Sequence, residues 1–135
     1  MSIRWYSLDT HLQTIDHEAI DLNQAYEVVD RYFGQVRPHY ESGEKALAAT
    51  MFGFVREDGS YMQICINGMD AIDIEHDFSL VRNPLLRFFA GRGQRFERVT
   101  SRNQVRARTK LFFTHTSEAF RLALRNEQTS RGQDA

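Results

Sequence analysis

The chain has 135 residues, 41% of them hydrophobic and 12% aromatic, with 18 acidic and 17 basic side chains and a formal charge of −1. This content argues against a disordered chain and fits one domain with its own core, which ten phenylalanines should make rich in aromatic rings. A lone cysteine, Cys65, excludes an intramolecular disulfide, and there is no signal-type apolar run and no stretch of about 18 apolar residues, so a soluble cytoplasmic protein is expected.

Residues 3–8, IRWYSL, read as a short edge strand. A helix is expected next, capped by Thr14 or Asp16 and ended by Gly34, because Ile20, Leu22, Tyr26, Val29 and Phe33 recur at helical spacing. Pro38, Ser42 and Gly43 make residues 35–45 a loop. Three strand-like stretches follow, ALAATMFGFVRE, YMQICI and MDAIDIEH, separated by Asp58-Gly59 and Asn67-Gly68. Both pairs favour the positive φ of tight hairpin turns, so the stretches form an antiparallel meander. Alternation puts Ile64, Ile66, Ile72 and Ile74 on the core face, and Tyr61, Gln63, Cys65, Asp73 and Glu75 on the other. Asn83-Pro84 can open a short helix ended by Gly91, and QRFERVTS reads as a strand. Ser101 with Gln104 has the form of a capping box opening a helix. Thr116 or Ser117 caps a last amphipathic segment carrying Phe120, Leu122 and Leu124. The expectation is a single α+β domain over residues 1–128: an antiparallel β-meander of about four to five strands, packed on one side by helices. Residues 129–135 form a disordered tail.

Catalytic chemistry finds little footing. Asp73, Glu75, His76 and Asp77 are metal-ligand types, but alternation turns His76 away from the carboxylates, and HxxxH, CxxC and EF-hand spacings are missing. Cys65 sits mid-strand without the electropositive setting that activates a thiol. The five histidines are scattered and read as surface or half-buried side chains. No GxSxG elbow or phosphate loop occurs. The expectation is a protein with no catalytic residues, metal or cofactor.

Charge is divided unevenly. Residues 1–80 hold 14 acidic and 5 basic side chains, and residues 81–135 hold 4 acidic and 12 basic. The segment 92–110, with Arg92, Arg95, Arg98, Arg102 and Arg106 and interleaved aromatics, is a candidate nucleic-acid-binding stretch. A sequence pI near 6.5 argues against that reading for the chain as a whole.

FVREDGSYMQICINGMDAIDIEHDF and the later VTSRNQVRARTKLFF resemble small bacterial α+β proteins of polymorphic-toxin immunity, over about residues 46–113. The resemblance implies a protein that binds and blocks a cognate toxin without catalysis, and it carries no site over residue by residue. The residues themselves suggest where a partner would bind. Asp70, Asp73, Glu75 and Asp77 supply an acidic surface, and Tyr61, Tyr40 and Trp5 are candidate anchors for a basic protein toxin. The alternative is a nucleic-acid-binding or phage accessory module using segment 92–110. A small enzyme built on Asp73, Glu75 and His76 is a third reading. Oligomeric state is left open.

Overall fold

A computed structural model describes residues 2–9, 11–39, 50–68, 70–77 and 94–133. Strands β1 (Ile3–Leu8) and β2 (Thr14–Ala19) form a hairpin, followed by helix α1 (Leu22–His39). Strands β3 (Met51–Arg56), β4 (Tyr61–Gly68), β5 (Ala71–Asp77) and β6 (Gln94–Val99) come next, then helices α2 (Arg102–Thr114) and α3 (Ser117–Gln133). The six strands make one antiparallel sheet in the order β2-β1-β3-β4-β5-β6. The protein therefore has the α+β class and the meander expected, with one more strand than anticipated.

That extra strand is β2, expected as the start of the first helix. Its residues pair with β1, so β1 lies inside the sheet rather than at its edge. Helix α1 begins later because Asp21 and Gln24 close a reciprocal cap. Gln24 N donates to Asp21 Oδ1 at 2.8 Å, and Asp21 N donates to Gln24 Oε1 at 3.0 Å. Gly34 does not stop the helix, which runs on to His39. A glycine ends a helix through the left-handed region, and among the described glycines positive φ occurs at Gly59 alone.

The first hairpin turn is where it was expected. Gly59 has φ 89°, and Asp58 Oδ1 accepts from Ser60 N at 2.9 Å. The second falls later than Asn67-Gly68. β4 runs through Gly68, which pairs with Ala71 after a register shift beyond Ile66. The stretch around Asn83-Pro84 and Gly91 lies outside the described residues.

The predicted face assignment holds. Ile64, Ile72 and Ile74 are 0% exposed and Ile66 2%. They pack with Phe52, Phe54 and Met62 against Val28, Val29, Tyr32 and Phe33 of α1, Val105 and Phe112 of α2, and Phe120 and Leu124 of α3. All three helices thus cover one face of the sheet. Ser101 caps α2, its Oγ accepting from Gln104 N at 3.3 Å, and Thr116 caps α3, accepting from Ala119 N at 3.2 Å. Leu122, expected with the apolar stripe, is 46% exposed. It lies two residues from both Phe120 and Leu124, roughly 200° around the helix. α3 continues to Gln133, so the segment expected to be disordered from 129 is helical to that point. No helix among the described residues is long and apolar enough to cross a membrane.

Charged side chains are built into the covered face at two places. Arg56, 2% exposed, stacks on Phe112 at 3.8 Å. Its Nη2 donates to the Phe112 and His115 carbonyls at 2.7 and 3.2 Å, so the end of α2 is tied to β3. Burial brings its pKa down to about 10. Beside it a chain of contacts crosses four elements. His76 Nε2 meets Glu97 Oε2 at 2.7 Å, Arg108 Nε donates to Glu97 Oε1 at 3.0 Å, and Arg108 Nη1 reaches Glu127 at 2.6 Å.

Candidate functional site

The opposite face of the sheet is set by register. Across β4, β5 and β6 three rows point outward: Cys65–Asp73–Arg98, Gln63–Glu75–Phe96 and, on β4 and β5, Tyr61–Asp77. The middle row extends across β3 to β1 through Gly53 and Tyr6. A Cβ on Gly53 would stand 2.3 Å from the Tyr6 ring, so the glycine lets that ring lie flat across β3. Tyr6 Oη then donates to Gln63 Oε1 at 3.1 Å, and the ring is only 6% exposed. Burial pushes the Tyr6 phenol well above its ordinary pKa, with Tyr61 and Glu75 adding to the effect.

Asp73 and Glu75 are treated differently by their neighbours. Arg98 grips Asp73 with two donors, Nε to Oδ1 at 2.8 Å and Nη2 to Oδ2 at 3.1 Å, and Asn67 Nδ2 adds a third. The hydrogen bond from Arg98 holds the Asp73 carboxyl below the usual carboxylate range. β6 thus brings a cation alongside one of the two carboxylates on this face, and Asp73 is not a free charge. Glu75 instead accepts from the neutral Tyr61 hydroxyl at 2.9 Å. Asp70 is exposed just before β5, and Asp77 is half-buried. Gln63, Cys65, Asp73, Glu75, Phe96 and Arg98 line a shallow hollow of about 440 Å³. Phe96 is its apolar wall and is 71% exposed.

The remaining expected site residues are scattered. Trp5 is a correction: at 9% exposure it belongs to the core face, stacked on His17 at 3.8 Å, and cannot serve as a surface anchor. Its phase in β1 matches Ile3, which fixes its direction inward. Tyr40 and Arg92 lie outside the described residues. The arginine segment does not form one stripe. Arg98 is paired on the open face, while Arg95 is half-buried on the covered side, in register with His76. Arg102 and Arg106 approach Asp30 at 3.8 and 3.7 Å, and Arg106 lies over Tyr26 at 4.5 Å. Arg98 with Asp73, and Arg102 and Arg106 with Asp30, pair the basic second half of the chain with the acidic first half at these points.

His76 with Glu97 has the composition of an acid–base pair but no access. His76 is 0% exposed, with Phe120 against its ring at 5.3 Å. Burial pushes the imidazole below its ordinary pKa, with the bond to Glu97 opposing. Burial would raise Glu97, but the His76 hydrogen bond and the Arg108 charge outweigh it and bring the carboxyl down to about 2. With Glu97 ionised, His76 Nε2 carries the proton and donates. The expectation of surface or half-buried histidines fails here because β5 carries His76 in phase with Ile72 and Ile74. Among the described residues no group of three or more His, Cys, Asp or Glu could hold a metal ion. Cys65 is half-buried on the open face, and burial raises its thiol pKa, so little thiolate forms at neutral pH.

In the sequence Phe96 is one of the aromatics interleaved with the arginines of segment 92–110. Its phase was the available signal: Val99 is core, so alternation sends Phe96 and Arg98 the other way. No protein-family model matches the chain. No curated protein and no solved structure matches it either.

Proposed function

We propose that this chain is a non-catalytic protein-binding inhibitor of the toxin-immunity kind, and that it meets its partner with the open face of the sheet. The observation that carries this reading is Phe96, a large aromatic 71% exposed on a rigid strand beside Glu75. Aromatic anchors in polar surroundings are the usual energetic centres of protein interfaces. Asp70, Asp73, Glu75 and Asp77 outnumber Arg98 on the outward rows and their adjoining turn, which favours a basic partner through steering and complementarity. Tyr61 belongs to the same surface. The arginine segment supports nucleic-acid binding less, since Arg98, Arg102 and Arg106 each have an acidic neighbour.

The test is rescue. The protein encoded beside this gene is expressed under tight control, and growth is followed with and without this chain. Rescue that fails for Phe96→Asp, with that variant still folded, supports the reading. Growth arrest that this chain does not relieve, or rescue indifferent to the open face, overturns it.

A further inference from the structure

We infer that the hollow around Glu75 is a receptor for a single arginine side chain presented by a protein partner. This rests on the open face being the contact surface, and it names what that surface selects. In register, Glu75 stands between Gln63 on β4 and Phe96 on β6. Tyr61 occupies one lobe of its carboxylate through a neutral hydroxyl, at 2.9 Å to Oε1. Among the described residues no cation pairs with Glu75, whereas Asp73 in the next row is held by Arg98. The hollow therefore has one carboxylate awaiting a positive charge, and one aromatic face, Phe96, awaiting cover.

A guanidinium answers both needs at once. Its plane can lie on the Phe96 ring while its edge donates to Glu75, a combination an ammonium reproduces poorly. The volume of about 440 Å³ admits the side chain with adjoining backbone. Arg98, 64% exposed at the rim, repels a second cation, so the site selects one arginine rather than a polybasic run. Glu75 and Phe96 sit on paired strands, so little ordering is needed on binding.

The experiment is an NMR titration of the full chain with N-acetyl-arginine amide, with the citrulline analogue as the neutral isostere. The expected result is saturable shifts confined to Tyr61, Gln63, Glu75 and Phe96, and no saturation with citrulline. Glu75→Gln keeps an acceptor for Tyr61 and should weaken arginine binding by about tenfold or more. Phe96→Ala should weaken it severalfold, with both variants checked for unchanged melting. Shifts that never saturate, equal shifts with citrulline, or indifference to Glu75→Gln overturn the proposal. Arginine binding without growth rescue leaves the receptor standing and removes the inhibitor reading. Rescue retained at full strength by Glu75→Gln removes the receptor and leaves the inhibitor reading intact.

Discussion

On the helix-covered face of the sheet, Arg56, His76, Glu97 and Arg108 are nearly dry; on the opposite face Asp73, Glu75 and Arg98 meet solvent. Both faces mix charge with aromatic rings. Under the helices, water is excluded and each charge must be bound by fixed partners, so the groups act as cross-links between elements. Arg56 ties β3 to the end of α2, and the His76–Glu97–Arg108–Glu127 chain ties β5, β6, α2 and α3 together. On the open face solvent shares the cost, and Glu75 can stand without a cation at little expense. The same chemistry is structural on one side and available for recognition on the other.

The comparison predicts a large difference in mutational cost. Arg56→Ala should destabilise the fold by about 3 kcal/mol, because it orphans two carbonyls at the end of α2 and removes the guanidinium packed on Phe112. Urea unfolding followed by the fluorescence of buried Trp5 would measure it. A loss below about 1 kcal/mol would show that the covered-face charge is not a cross-link.

Gly53→Ala should cost about 2 kcal/mol by overpacking against the Tyr6 ring. The cost should shrink in a Tyr6→Ala background. Equal costs in both backgrounds would place the strain elsewhere than the ring.

Acid should attack the covered face first. His76 is depressed below 6.5, so the unfolded chain binds a proton more readily and stability falls as pH drops through 6.5. Glu97 is depressed from 4.5 to about 2, so its contribution, full above 4.5, is lost between those values. The Glu97 part of the loss should be about 1–2 kcal/mol between pH 4.5 and 3, after allowance for its partial solvent access, and the His76 part adds in the same direction. Glu97→Gln should lower stability at neutral pH and flatten the lower part of the profile. An unchanged profile in that variant would remove Glu97 from the account.

The smallest effect belongs to the open face. Asp73→Asn should leave the melting temperature almost unchanged, since the Arg98 pair is exposed and screened. A marked drop would mean that the pair carries load, and that the two faces differ less than their exposure implies.

Local chemistry in the sequence settled a good part of this protein. Asp58-Gly59, the Ser101–Gln104 cap and the Thr116 cap depend on residues a few positions apart, and each is found in place. Alternation in β4 and β5 told which isoleucines are buried, because a strand has only two faces. Carboxylates, by contrast, could be placed on a face but not given partners. Whether Asp73 is a free charge depends on Arg98, 25 residues away, and that was decided when β6 joined the sheet. TIDHEA carries too little apolar pattern to declare itself a strand; pairing with β1 made it one. His76 looked like a surface histidine until Glu97 and Arg108 supplied partners that let it be buried. Tertiary structure decided these points because charge is governed by what lies within a few ångströms, and sheet register brings that neighbour from far along the chain.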